Sequence, residues 1–247
     1  MSRLPRSVVT PAQLDELRAE GFLPPEEAAH LVRVLRLATG APVEVCDGAG
    51  RVLAGRLILD GKRARLAVES ERLVPKPTPI QLCAAVLKPD RWRTVIEKAV
   101  ELGVTTISPL ITDHSAFHPK SAQRERLGEK WEKWIEEAGK QCLRAHLPVV
   151  EPFSTLAEAL ERAHTPKYFA SLAPAQPWGE KPVGGFSLFV GPEGGWSDAE
   201  EDLAERHGAI RFSLGGGVLR AETAVIAGLA VLRETLGVVE SELQPCH

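Results

Sequence analysis

Two glycine-rich segments in the C-terminal third of the chain are the strongest candidates for a ligand site. Residues 191–197 read GPEGGWS and follow one apolar strand pattern, while residues 215–223 read GGGVLRAET and follow another. Glycines let backbone N–H and C=O groups approach a ligand closely, and in open α/β sheets ligands bind beyond the carboxyl ends of the strands. The two segments therefore predict a ligand site built largely from backbone groups.

Known nucleotide and hydrolase motifs are absent from these segments. The chain contains no G-x-x-x-x-G-K-[ST], no G-x-G-x-x-G and no G-x-S-x-G. Sites for nucleoside triphosphates or NAD, and serine hydrolase chemistry, are therefore disfavoured. Both segments could still be plain tight turns. The polar residues Arg220 and Glu222, beside an otherwise apolar stretch, favour a site.

A third group of polar residues follows helical spacing. Glu137, Gln141 and Arg144 are four and then three residues apart, so a helix would place them on one face. They could bind a substrate together, or they could form an ordinary solvated face. Trp131 and Trp134 on the same helix are expected in the core or an interface.

Metal and thiol chemistry have weak support. His114 and His118 lie in a predicted loop, and the four cysteines are far apart with no C-x-x-C pair. We expect no metal site and buried free thiols.

The elements that must position these residues alternate between strands and helices, which predicts an α/β domain with a mainly parallel sheet. The predicted strands are residues 80–87, 105–111, 168–172, 186–190 and 210–214. The predicted helices are residues 91–102, 124–143, 198–207 and 221–236, with a capping box formed by Ser197 and Glu200.

A small β-rich module is predicted before this domain, with a short helix from about residue 24 to 35 at its start. Three prolines within residues 73–79 disfavour a helix there and indicate a boundary. The sequence thus predicts two domains, 1–73 and 74–247.

Charge and hydropathy restrict the functional classes further. The net charge of the 247 residues is −3, yet residues 31–65 hold seven Arg/Lys against three Asp/Glu. A local basic face can therefore exist in an acidic protein. No stretch is apolar and long enough for a membrane helix, and the start lacks a signal-peptide pattern, so we expect a cytoplasmic protein without membrane contact.

At five sites the sequence resembles the RsmE family, bacterial methyltransferases that act on N3 of a uridine in 16S ribosomal RNA. The motifs are Gly191-Pro192-Glu193-Gly194-Gly195, Leu219-Arg220-Ala221-Glu222-Thr223-Ala224, Glu137-Ala138-x-x-Gln141-x-x-Arg144, Lys98-Ala99-x-Glu101-Leu102-Gly103 and His30-Leu31-x-x-Val34-Leu35-Arg36. They span nearly the whole chain in order.

This resemblance implies an α/β fold with a C-terminal SPOUT domain that holds a deep trefoil knot, preceded by a small PUA-like β-barrel. It also implies S-adenosylmethionine as methyl donor, a homodimer, and 16S ribosomal RNA as partner, within the small ribosomal subunit. Two departures from the family pattern occur. Gly216-Gly217 stands where many members have Gly-Pro, and Ala145 stands where many have asparagine.

The resemblance implies the residues of the cofactor set, and the charge and position of other residues indicate an RNA-binding set and a catalytic set. The cofactor set is Leu172, Gly191, Pro192, Glu193, Gly194, Gly195, Leu214, Gly215, Leu219, Arg220 and Thr223. The RNA-binding set is Arg3, Arg6, Arg33, Arg36, Arg51, Arg56, Arg65, Gln141 and Arg144.

Arg220 and Glu222 form the catalytic set. Arg220 is expected to stabilise negative charge on the uracil oxygens. Glu222 either accepts the N3 proton or only stabilises the start of the last helix.

Two other functions remain compatible with the sequence. One is an RNA-binding ribosome-assembly factor that has lost transfer chemistry, against which the intact glycine segments and Arg220 argue. The other is a small-molecule α/β enzyme with a nucleotide cofactor, which the missing fingerprints and the basic N-terminal module disfavour. Measured binding of S-adenosylmethionine discriminates between these functions.

Overall fold

A computed structural model of the chain describes residues 4–61, 63–164, 166–172, 184–215 and 217–236. The protein divides into two compact units. The first comprises the residues up to Pro77 together with Glu136–Leu147, and the second comprises Thr78–Ile135 and Pro148–Glu240. Each unit therefore draws on more than one stretch of sequence.

The first unit holds a four-stranded sheet in the order β1-β2-β3-β4. Strand β1 runs parallel to β2, whereas β2, β3 and β4 pair antiparallel, with a register shift in β3 between Ala54 and Gly55. Its strands are β1 (Arg6–Val8), β2 (Pro42–Cys46), β3 (Arg51–Asp60) and β4 (Arg63–Leu73). The N-terminal module is thus β-rich, as predicted.

Helical segments cover one part of this sheet. Helix α1 (Pro11–Glu20) begins with a capping box between Thr10 and Gln13 and was not predicted. Helix α2 (Pro25–Ala29) continues directly into a π-helical turn, His30–Val34. Leu14, Leu17 and Leu31 are fully buried and pack with apolar residues of β2, β3 and β4.

Within the described residues the second unit holds a seven-stranded sheet in the order β11-β9-β10-β5-β6-β7, with β8 also paired to β6. Every pairing in it is parallel. The strands are β5 (Ile80–Ala85), β6 (Thr106–Ile111), β7 (Val149–Val150), β8 (Ser154–Thr155), β9 (Lys167–Ala170), β10 (Phe186–Val190) and β11 (Ile210–Phe212). All residues of β5 and β10 are buried, as expected for central strands of a parallel sheet.

Five helices accompany this sheet within the described residues: α3 (Pro89–Glu101), α4 (Ser121–Cys142), α5 (Leu156–Arg162), α6 (Asp198–Arg206) and α7 (Ala221–Leu236). The α/β class with a parallel sheet, predicted from the alternation of elements, is confirmed. None of the described helices is long and apolar enough to cross a membrane.

The strand order brings the two glycine-rich segments together. Strand β9 lies between β10 and β11, so the chain passes across β9 when it goes from β10 to β11. Because the three strands are parallel, the segments that leave β10 and β11 emerge at one edge, beside the end of β9. Such a reversal of strand order is where open α/β sheets bind their ligands.

Candidate functional site

A cleft of about 280 Å³ lies at the carboxyl ends of β9, β10 and β11. Its volume is close to the lower end of ligand pockets, roughly 300–1,000 Å³. The residues that line it are Ala170, Ser171, Leu172, Val190, Gly191, Pro192, Glu193, Gly194, Gly195, Trp196, Glu201, Phe212, Ser213, Leu214, Gly217, Val218, Leu219, Ala221 and Ala224. Both glycine-rich segments therefore contribute to one cleft.

Trp196 fixes the first segment against β9. Its indole stacks on Phe169 with ring centroids 4.5 Å apart, and its Nε1 donates a hydrogen bond of 2.9 Å to the Ala170 carbonyl. A Cβ on Gly191 would lie only 3.0 Å from this indole. Gly195 has φ 73°, a conformation that favours glycine. The segment thus requires glycine at these positions for packing and for backbone geometry.

The loop after β6 holds the same segment from the other side. His114 Nδ1 is 3.3 Å from the Gly195 carbonyl oxygen, and a Cβ on Gly194 would lie 2.9 Å from the His114 Cβ. The Ser197 hydroxyl donates to Asp113 Oδ2 at 2.6 Å. Ser197 and Glu200 form the predicted capping box of α6. His114 is therefore a packing partner of the segment, and no group of three metal-binding side chains occurs among the described residues.

A carboxylate forms the polar wall of the cleft. The Ser171 hydroxyl donates to Glu201 Oε1 at 2.7 Å, and Arg211 lies 3.6 Å from Glu201 and 3.2 Å from Glu205. Ser171 and Glu201 line the cleft, whereas Glu205 does not. Glu193 supplies a second carboxylate to the lining. The lining consequently holds two carboxylates that can face a cationic ligand, while their arginine partners Arg91 and Arg211 lie outside the lining.

The opposite rim is apolar and open. Leu172 is 72% exposed and Val218 is 79% exposed, and Leu219 beside them is also exposed. Gly215 has φ 116°. Gly216 lies outside the described residues. Exposed aliphatic side chains at the mouth of a cleft provide a surface for a flat apolar group.

Two charged side chains follow the second segment. The Arg220 side chain is exposed, and among the residues that the structure describes its guanidinium has no protein partner. The Glu222 side chain is 16% exposed, and its Oε2 is buried without a hydrogen-bond partner in the described part of the chain. Its Oε1 lies 3.9 Å from Arg91 Nε, and Arg91 Nη1 donates to Glu193 Oε1 at 2.7 Å.

A family profile described as "RNA methyltransferase domain" matches residues 74–233. "Ribosomal RNA small subunit methyltransferase E" of Synechocystis is 32% identical over 243 residues, which cover 94% of this chain and 78% of that protein. The chain belongs to the RsmE family.

Solved structures agree with the RsmE assignment. Ribosomal RNA small subunit methyltransferase E from Neisseria gonorrhoeae, bound to S-adenosylmethionine, gives a TM-score of 0.82 at 28% identity, with 94% of this chain and 98% of that chain covered. A methyltransferase structure from Legionella pneumophila, solved with the same cofactor bound, gives a TM-score of 0.82 at 28% sequence identity. The match covers 95% of this chain and 98% of that chain. The fold therefore extends over nearly the whole length of both relatives.

The cleft contains most of the cofactor residues predicted for this RsmE protein. Leu172, residues 191–195, Leu214 and Leu219 line it, whereas Gly215, Arg220 and Thr223 do not. Sequence reasoning missed Ser171, Trp196 and Glu201. The capping box of α6 offered a signal for Glu201, because it places the following residue in the first turn at the edge of the cleft.

The predicted RNA-binding arginines fall into different environments in the first unit. Arg33 and Arg36 are exposed, and Arg36, two residues after the end of the π-helical turn, has φ 54°. Arg65 is exposed and lies 4.9 Å from the ring centroid of Phe22. Arg56 pairs with Glu69 on the surface, and Arg51 pairs with Asp15.

Arg6 differs from these residues because it is buried. It is 7% exposed, pairs with Glu44 and donates to the Leu143 carbonyl. Arg72 pairs with the other Glu44 oxygen at 2.8 Å. The structure therefore places Arg6 inside the first unit, which disfavours its predicted role in RNA binding. Arg3 lies outside the described residues.

The predicted polar row on α4 ends early. The helix stops at Cys142, and Leu143 has φ 62°, so Arg144 does not continue the face of Glu137 and Gln141. Glu137 and Gln141 are exposed, whereas Arg144 is 6% exposed. The expectation of one shared face is wrong for Arg144.

The cysteines behave largely as expected. Cys46, Cys83 and Cys142 are free, with the first two buried, and Cys246 lies outside the described residues. Burial raises the pKa of Cys83 to about 12. Its thiol therefore stays protonated at neutral pH and cannot act as a nucleophile.

Proposed function

We propose that this protein is an S-adenosylmethionine-dependent methyltransferase that methylates N3 of one uridine in 16S ribosomal RNA. The cleft at the ends of β9, β10 and β11 carries the proposal, because both glycine-rich segments of an RsmE-family chain line it. Relatives from Neisseria and Legionella bind this cofactor.

The chemistry of the cleft fits S-adenosylmethionine. The open apolar rim at Leu172 and Val218 suits the adenine, and the carboxylates of Glu193 and Glu201 suit the positive charge of the sulfonium and the amino group. When bound, the cofactor supplies an electrophilic methyl group. The cleft residues of this chain hold it in a fixed orientation, which is the main requirement of an in-line transfer.

Arg220 is proposed to stabilise the uracil as N3 loses its proton. Loss of that proton places negative charge on the ring carbonyl oxygens, and a guanidinium aimed there lowers the barrier. The Arg220 side chain is exposed, has no partner within the part of the chain that the structure describes, and lies next to the lining residues Leu219 and Ala221, which supports this role.

Glu222 is proposed to accept the N3 proton at its Oε2. That oxygen is buried and has no hydrogen-bond partner among the described residues, so its acceptor capacity is unused in the protein. A buried acceptor without a partner is costly, and a bound ligand, an ordered water or a catalytic role accounts for such groups. This observation favours proton acceptance over a purely structural role in the first turn of α7.

At the level of the fold we propose a SPOUT domain with a deep trefoil knot over residues 74–247 and a PUA-like β-barrel over residues 1–73. The reversal of strand order around β9 supports the first assignment, and the four-stranded, mainly antiparallel sheet of the first unit supports the second.

The exposed basic residues of the first unit are proposed to bind RNA backbone. Arg33, Arg36 and Arg65 are exposed and can contact RNA phosphates directly. Arg51 and Arg56 can do so once a phosphate replaces the carboxylate in their surface ion pairs. The uridine must be unstacked for its N3 edge to be reached. We further propose a homodimer that acts on the small ribosomal subunit in the cytoplasm.

The test is calorimetric titration with S-adenosylmethionine beside NAD and ATP, followed by mass analysis of small-subunit RNA incubated with protein and donor. Selective binding of the donor and one added methyl on a uridine N3 are expected. A folded protein that binds RNA but none of the three ligands would instead be the non-catalytic assembly factor.

A further inference from the structure

We propose that Arg91, which lies outside both glycine-rich segments, is a positioning residue that holds Glu222 ready to accept the substrate proton. The inference rests on the proposed function. Arg91 lies in the first turn of α3, and its guanidinium meets carboxylates from both segments. Glu193 belongs to the segment after β10, and Glu222 belongs to the segment after β11, within the first turn of α7.

The guanidinium of Arg91 contacts the two carboxylates through different nitrogen atoms. Nη1 donates a 2.7 Å hydrogen bond to Glu193 Oε1, while Nε faces Glu222 Oε1 at 3.9 Å. Arg91 thereby fixes one oxygen of Glu222 electrostatically and leaves Oε2 without a hydrogen-bond partner among the described residues. A planar guanidinium can serve two carboxylates in this way because its donors point in fixed directions.

Arg91 also offsets the repulsion between the two carboxylates. Within the described residues it is the ion-pair partner of Glu193 and of Glu222, and neither carboxylate has another. Without Arg91 two like charges would share a partly buried site, and Glu222 would turn away from Glu193 or lose its charge. Either change removes the proton acceptor from its place.

A simple surface ion pair would have a different signature. Arg91 and Glu193 are about as exposed as many surface pairs, and such pairs contribute little to stability. If Arg91 only stabilised the fold, its loss would move the melting temperature and leave turnover unchanged. If it positions Glu222, its loss lowers kcat while the binding of donor and RNA is retained.

The experiment compares Arg91→Gln and Arg91→Lys with Arg93→Gln as a matched control. Arg93 is on the same helix and makes an ion pair of the same 2.7 Å length, with Glu97. Methyl transfer to small-subunit RNA gives kcat and the KM of donor and RNA, and calorimetry gives donor affinity. We expect Arg91→Gln to lower kcat by about 10- to 10²-fold, the range for a displaced catalytic group. The KM of RNA should stay within about threefold, and the donor should bind no more weakly, because Arg91→Gln leaves the lining carboxylate of Glu193 without its counter-charge. Arg91→Lys should restore part of the rate.

Coupling to Glu222 is the decisive measurement. The double variant Arg91→Gln/Glu222→Gln should be no slower than Glu222→Gln alone, because a positioning residue has nothing to add once its target is gone. Additive losses, an unchanged kcat in Arg91→Gln, or an equal effect of Arg93→Gln would each overturn the inference. An inactive wild-type protein would refute the proposed function itself, and the inference with it.

Discussion

The acidic wall of the cleft predicts selectivity for the charged form of the cofactor. Glu201→Gln keeps the side-chain shape and can retain the contact with Ser171, but it removes one negative charge from the lining. S-adenosylmethionine carries a sulfonium charge, whereas its product S-adenosylhomocysteine is a neutral thioether at that atom. The substitution should therefore weaken the binding of S-adenosylmethionine more than the binding of S-adenosylhomocysteine.

The magnitude follows from the size of the cleft. A sphere of about 280 Å³ is about 8 Å across, so a cation bound within it lies no more than about that far from the lining carboxylate. At an effective dielectric constant of about 20, this distance corresponds to about 2 kcal/mol. Two features lower this interaction energy: Arg211 lies 3.6 Å from Glu201, and the pair is partly exposed to solvent. The remaining interaction energy is about 1 kcal/mol, which corresponds to about fivefold in Kd.

Calorimetric titration of both ligands measures this difference. Glu205→Gln is the matched control, because Glu205 lies on α6 like Glu201 and also pairs with Arg211, but is more exposed and does not line the cleft. We expect the ratio of the two Kd values to change about fivefold in Glu201→Gln and to stay constant in the control. Equal weakening of both ligands, or the same selective loss in Glu205→Gln, would refute the electrostatic argument.

Four further predictions concern the site and its support. Gly191→Ala should weaken donor binding, as measured by calorimetry, because its Cβ would lie 3.0 Å from the Trp196 indole. Gly128→Ala, in open space on α4, should stabilise the protein by about 0.5–1 kcal/mol in urea unfolding and leave donor affinity unchanged. Arg220→Ala should lower kcat by about 10²–10³ with donor binding intact, and near-normal turnover would contradict its role. Burial raises the pKa of Cys83 from 9.0 to about 12, so the folded state retains that proton longer than the unfolded state. Its contribution to stability is therefore complete below about pH 9 and falls by about 1.4 kcal/mol per pH unit between about pH 9 and pH 12. Urea unfolding of Cys83→Ala should show a pH slope that is shallower by this amount.

Local signals accounted for most elements of the second unit. The predicted bounds of β10 and α7 match the structure, and Ser197 with Glu200 caps α6 as the spacing predicted. Apolar runs of five residues and capping boxes are local features, so they can be recognised without knowledge of the fold. The same reasoning could have found α1, because Thr10 and Gln13 form a capping box there.

Short elements escaped prediction for a physical reason. Strands β7 and β8 have two residues each, too few to show a period, and pair with β6 only because the fold places them there. The end of α4 is another case. Leu143 adopts a left-handed backbone conformation that cannot be predicted from a leucine in the sequence. The helix therefore ends, and Arg144 does not lie on the same face as Glu137 and Gln141.

By itself the sequence determined the α/β class, the two glycine-rich segments and the family, because each depends on local patterns or on motifs with fixed spacing. Only the tertiary structure decided which charges meet. Arg6 forms an ion pair with Glu44, and Glu201 accepts a hydrogen bond from Ser171 at the cleft. Arg91 donates a hydrogen bond to Glu193, which is 102 residues away in the sequence. Such pairs follow from the order of strands in the sheet and not from any period along the chain, because a side chain's type fixes its charge but not its partner.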